Sequence, residues 1–78
     1  MDAMTEQLAT LVAEKFNVPT ERIRPETNLM ADLGADSLDL AEIVLTIEER
    51  LGVTIEERDA ERLTTFGDAL ELVRAKLQ

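Results

Sequence analysis

The chain has 78 residues, 45% of them hydrophobic, no cysteine, no histidine, and a net charge of −9 from 17 acids and 8 bases. That length fits one small domain with a single core, and the apolar content is too high for a disordered acidic tail. The composition excludes disulfides, thiolate nucleophiles and thiolate metal sites, and its acidity disfavours nucleic acid and anionic membranes while favouring basic partners.

The start, Met1-Asp2-Ala3-Met4-Thr5-Glu6, is acidic and mixed, without the basic segment and apolar core of a secretory leader. Apolar runs are only a few residues long, so no membrane insertion is expected. A cytoplasmic location is expected. Leu8, Leu11, Val12 and Phe16 form one helical stripe and predict a first helix from about Thr5 to Phe16. Thr5 and Asp2 are both suitable N-caps, and Pro19 ends any continuation. A long loop, Asn17 to Asp36, follows; Pro19, Pro25, Asn28 and Gly34 punctuate it. Val18, Ile23, Leu29, Met30 and Leu33 are expected to anchor it to the core as an ordered segment.

A second helix is predicted from Ser37 or Leu38 to Leu51, with Gly52 as its stop. Leu40, Val44, Ile47 and Leu51 make a core-facing stripe. Leu38, Ala41 and Leu45 make a second stripe, rotated from the first by over a third of a turn. Asp39, Glu42, Glu48 and Glu49 on the same helix must reach water. Leu38 and Leu45 are therefore expected to be partly exposed and rimmed by acids, the layout of a transient protein interface. A short third helix, about Glu57 to Leu63, precedes a fourth from about Thr65 to Leu77, with Leu70, Val73 and Leu77 inward and Thr64 or Thr65 as cap. No segment shows strand alternation. The expected fold is all-α: a small four-helix bundle of three main helices and one short one, with a long ordered first loop.

Charge and chemistry converge on one place. Residues 32–61 hold ten acids against only Arg50 and Arg58. The lone serine, Ser37, stands where this segment begins. As a nucleophile it lacks a base, because the chain has no histidine and Lys15 and Lys76 lie on other predicted helices. Taken alone, a serine here is more often a helix cap, but Asp36 can cap unaided and leave the hydroxyl free. A third reading makes the hydroxyl a substrate for another enzyme. A phosphate attached there would lie at a helix N-terminus, where free N–H groups favour an anion, and Gly34 would give an approaching active site room.

Leu33-Gly34-Ala35-Asp36-Ser37-Leu38, followed by Asp39 and Glu42, closely resembles the attachment motif of free-standing acyl carrier proteins. Length, acidity, the long first loop and Asp59-Ala60-Glu61-Arg62-Leu63-Thr64-Thr65 extend that resemblance over essentially all of residues 1–78. The resemblance implies a non-catalytic carrier. A phosphopantetheinyl transferase would move 4′-phosphopantetheine from coenzyme A onto Ser37, and the arm's thiol would carry acyl groups as thioesters between enzymes of fatty acid or polyketide biosynthesis. Asp36 would help that transferase engage. The resemblance further implies a monomer whose Asp36, Leu38, Asp39, Glu42, Leu45, Glu48 and Glu49 meet the basic patches of acyl-processing enzymes, with Glu56, Glu57 and Asp59 extending the surface. Val44, Ile47, Ile55, Ala60 and Leu63 would line a shelter for the acyl chain. Arg50 and Arg58 depart from the more uniformly acidic family pattern and bear on partner preference, while a single glycine at Gly34-Ala35-Asp36 argues against a peptidyl carrier.

Two alternatives carry no prosthetic group. One is a divalent-cation-responsive protein using Asp32, Asp36 and Asp39. As an EF-hand counted from Asp32, however, it has Gly34, Ser37 and Ile43 where an oxygen ligand, glycine and glutamate belong. The other is an acidic helical adaptor.

Overall fold

The structure is a computed structural model and describes residues 2–77. Helix α1 spans Ala3–Phe16, α2 Ser37–Leu51, α3 Glu57–Ala60 and α4 Phe66–Leu77, with a 3-10 turn at Thr20–Arg22 inside the long first loop. This is the expected all-α arrangement of three main helices and one short one. No described helix is long and apolar enough to cross a membrane.

Local chemistry sets the helix ends. Asp2, rather than Thr5, caps α1: its carboxylate accepts from the Thr5 N–H at 2.8 Å, and Thr5 itself is buried inside the helix. The helix ends before Pro19 acts, because Asn17 takes a left-handed conformation and its N–H returns to Ala13 and Glu14. At α4, Thr65 accepts from the Asp68 N–H at 3.1 Å while the Asp68 carboxylate accepts from Thr65 N–H at 2.9 Å, a reciprocal cap. Helix α3 is shorter than expected; residues 61 and 62 form a turn.

The core centres on Phe66, Leu8, Leu29, Ile43, Ile47, Val12 and Val73, all essentially inaccessible. Three expectations need correction. Ile43, which neither predicted stripe of α2 includes, is buried, whereas Leu40, Val44 and Leu51 only flank the core. The inward face of α4 is Phe66, Ala69 and Val73, and Leu77 is exposed because the helix runs past the core. Met30 is also exposed. The Asn28 side chain accepts from the N–H groups of Met30 and Ala31 and folds this part of the loop into a turn at the surface.

The loop is ordered by stitching to α4. Leu29 N–H donates to Thr64 C=O, Phe66 N–H to Thr27 C=O and Gly67 N–H to Pro25 C=O, each at 2.9 Å. The backbones approach so closely that a Cβ at residue 67 would stand 2.9 Å from the Pro25 carbonyl oxygen. The buried Thr27 hydroxyl donates to Arg22 C=O and accepts from Arg24 N–H, tightening the turn before the stitch. Ile23 and Leu29 fill the core beneath it.

Candidate functional site

The loop delivers Ser37 to the surface in three steps. Gly34 has φ +75°, a left-handed conformation that side chains disfavour, and its N–H returns to Met30 C=O at 2.9 Å. Ala35 is then buried, with its N–H on Leu29 C=O at 3.1 Å. Asp36 turns the chain into α2. Its carboxylate accepts from Asp39 N–H at 2.9 Å and the Asp39 carboxylate accepts from Asp36 N–H at 3.2 Å, a two-way capping box.

Ser37 is the first helical residue and is exposed. It takes no part in the cap, which Asp36 and Asp39 supply between them. In the first turn of a helix the N–H groups have no acceptor within the helix, so the backbone around the hydroxyl suits an anion. Space is also available: a Cβ at Gly34 would meet nothing within 4 Å. An exposed hydroxyl, a positive helix end and open surroundings fit a phosphodiester-linked arm.

The faces of α2 divide as its 100° per residue requires. Ile43 and Ile47 enter the core. Leu38 and Leu45 stand out at 69% and 57% exposure, with Glu42 and Glu49 beside them on the surface. The acids of this helix are not equally available. Glu48 is half-buried and accepts from the Ile55 N–H at 2.9 Å, so it holds the α2–α3 connection. Lys15 crosses from α1 to bond Glu42, and lies 3.6 Å from Asp39. Sequence reasoning places Lys15 on another helix; the structure confirms the helix but extends the ammonium to α2. That bond, with the attraction of both carboxylates, raises the Lys15 pKa. The ammonium is engaged by Glu42 and Asp39 on α2. Near α3, Glu56 pairs with Arg58 at 3.1 Å and Asp59 with Lys76 at 3.0 Å. The Lys76 hydrogen bond, above all, lowers the Asp59 pKa.

Of the expected shelter residues, Ile47, Ile55 and Leu63 are buried and Val44 and Ala60 half-buried. Ile47, Ile55 and Leu63 belong to the core and Val44 packs against it, a role compatible with lining a shelter. Hollows open at other places on the surface. One of about 590 Å³ runs between α1 and the end of α2 beside Leu8, Leu11, Arg50 and Leu51. Another of about 450 Å³, beside Leu63, Leu72 and Lys76, lies between the α3 region and α4. Among the described residues no cluster of three or more acids is arranged to hold a metal ion.

Comparison with known proteins agrees with this geometry. The phosphopantetheine attachment site family matches residues 6–73. Acyl carrier proteins of Helicobacter pylori strains G27 and HPAG1 are 37% identical over 71 residues, covering 91% of this chain and 91% of each relative. Among solved structures, a Mycobacterium tuberculosis protein described as an acyl carrier protein superposes with a TM-score of 0.88 at 29% identity, over 94% of this chain and 97% of that one. The acyl carrier protein of Enterococcus faecalis gives 0.80 at 28% identity, over 92% and 91%. With its attachment motif, four-helix layout and matched length in agreement, the chain belongs to the acyl carrier protein family, whose members carry a phosphopantetheine attachment site.

Proposed function

We propose that Ser37 is the residue that receives the 4′-phosphopantetheine arm, and that residues 1–78 act as one carrier domain presenting acyl thioesters to enzymes of fatty acid or polyketide assembly in the cytoplasm. The protein is a non-catalytic carrier, the substrate of a phosphopantetheinyl transferase. The arm, when attached, supplies the thiol that forms the thioester. The chain's own residues supply position. Asp36 and Asp39 fix the first turn of α2, Ala35 pins the approach to it, and the exposed Ser37 hydroxyl is presented at the helix's positive end.

The exposed Leu38–Leu45 strip supports the same reading. Two large apolar side chains flanked by Glu42 and Glu49 complement a partner with an apolar contact inside a basic rim. Asp36 and Asp39 lie at the Ser37 end of this strip. Glu48 contributes to the connection with α3 as well.

The observation that carries the proposal is a helix cap supplied by Asp36, which leaves the neighbouring hydroxyl exposed. Incubation with coenzyme A and a promiscuous phosphopantetheinyl transferase is expected to add one arm to the wild type and none to Ser37→Ala, read by intact-mass spectrometry. Equal labelling of Ser37→Ala would falsify the assignment. Mass analysis of protein isolated from its own host then identifies the acyl group and hence the pathway.

A further inference from the structure

We propose that Lys15 is an internal counter-ion that sets how strongly basic partners dock beside Ser37; the inference rests on the carrier reading above. Lys15 lies at the end of α1, yet its ammonium is hydrogen-bonded to Glu42 and within 3.6 Å of Asp39, both on α2. Asp39 is in turn bound to the backbone of Asp36, the residue before Ser37. One cation thus covers the part of the acidic rim nearest the modified hydroxyl. At the other end of the strip, no ion pair engages Glu49 among the described residues. The rim is asymmetric: partly neutralised near Ser37, open near Glu49.

The physical consequence concerns selectivity. The Lys15–Glu42 pair is partly solvated, with side-chain exposures of 30% and 56%, so it is weak enough to be displaced. A partner that reaches Glu42 must nevertheless outcompete an ammonium already there. An arginine fork, which grips both carboxylate oxygens, can do so; a single partner lysine only exchanges like for like. Lys15 therefore raises the threshold for casual basic proteins and favours partners with arginine at this point. It acts through Glu42 and Asp39 and touches no reacting atom, which makes it a positioning residue.

The test is arm transfer at low ionic strength by a phosphopantetheinyl transferase with coenzyme A, following kcat and KM for the carrier. Lys15→Gln is expected to lower KM about threefold with kcat unchanged, since one exposed ion pair is worth a factor of this order. Lys15→Met, which keeps part of the apolar stem, is expected to do the same, and Lys15→Arg, which keeps the charge and can grip Glu42 at both oxygens, to hold KM at or above the wild-type value. In a Glu42→Gln background the Lys15→Gln effect is expected to shrink, and salt is expected to erase it. Circular dichroism and melting establish that each variant is folded. A KM unmoved by both Lys15→Gln and Lys15→Met, or an effect of equal size in the Glu42→Gln background, overturns the role of Lys15 while leaving the carrier reading intact. Failure of the wild type to accept the arm at Ser37 overturns the carrier reading and this inference with it.

Discussion

Gly67 shows how one atom can hold a loop in place. Its N–H donates to the Pro25 carbonyl at 2.9 Å, and a Cβ would meet the same oxygen at 2.9 Å, where a carbon has no room. Gly67→Ala adds a good helix former to the first turn of α4, which taken alone would stabilise it. The clash is with backbone on both sides and cannot be relieved by a rotamer change. The expected net result is a loss of about 1–3 kcal/mol, measured by urea unfolding; unchanged or increased stability would show that the loop shifts freely. Nothing in the sequence singles out this glycine, because the contact joins residues 25 and 67 across the chain. Ile43 escapes for a related reason. The apolar residues of α2 can be sorted into two stripes without it, and only the position of α1 against the Asp39–Ile43–Thr46 side shows that this face is covered. Ser37 and Asp36, by contrast, are legible directly, since a cap and a free hydroxyl are properties of neighbouring residues.

Elements follow the same division between local and distant causes. The bounds of α2, Ser37–Leu51, agree with the sequence reading because an aspartate cap and a glycine stop are local signals. The early start of α1 depends on which of two possible caps is used, and the choice of Asp2 is reinforced from α4. Arg74 donates to the Asp2 carboxylate at 2.9 Å and to the Thr5 hydroxyl at 3.1 Å. Hydrogen bonds from Thr5 and then Arg74 hold the Asp2 carboxyl well below the usual carboxylate range. A depressed folded-state pKa means that this stabilisation is complete above the unfolded value of about 3.9 and is lost as the pH falls toward the folded value. The melting temperature of Asp2→Asn is therefore expected to lie below that of wild type at pH 7, with the gap narrowing once the pH drops below about 4. A gap that stays constant down to pH 2 would sink this account. The same sign applies to Asp68, lowered chiefly by the N–H of Thr65, and to Asp59. Lys15 has the opposite sign: its contribution is present at neutral pH and disappears only as the pH rises through its raised pKa.

For the whole molecule, the main electrostatic quantity is the ten acids against two arginines in residues 32–61. Exposed ion pairs such as Arg50–Glu14 at 3.8 Å contribute little individually, while the repulsion among the acids is summed over the segment. Salt weakens both, and the repulsion is the larger. Raising the ionic strength from about 0.01 M to about 0.5 M is thus expected to raise the melting temperature by several degrees; a flat or falling response would mean that the acids are better compensated than their surroundings indicate. The pairing of the Asp2 end with Arg74 has a further consequence. The first and last helices are clasped together, so a longer polypeptide would enter and leave this unit through neighbouring doors. Such a bead could be threaded into another protein, or its ends joined and reopened at a surface turn, without prying the helices apart.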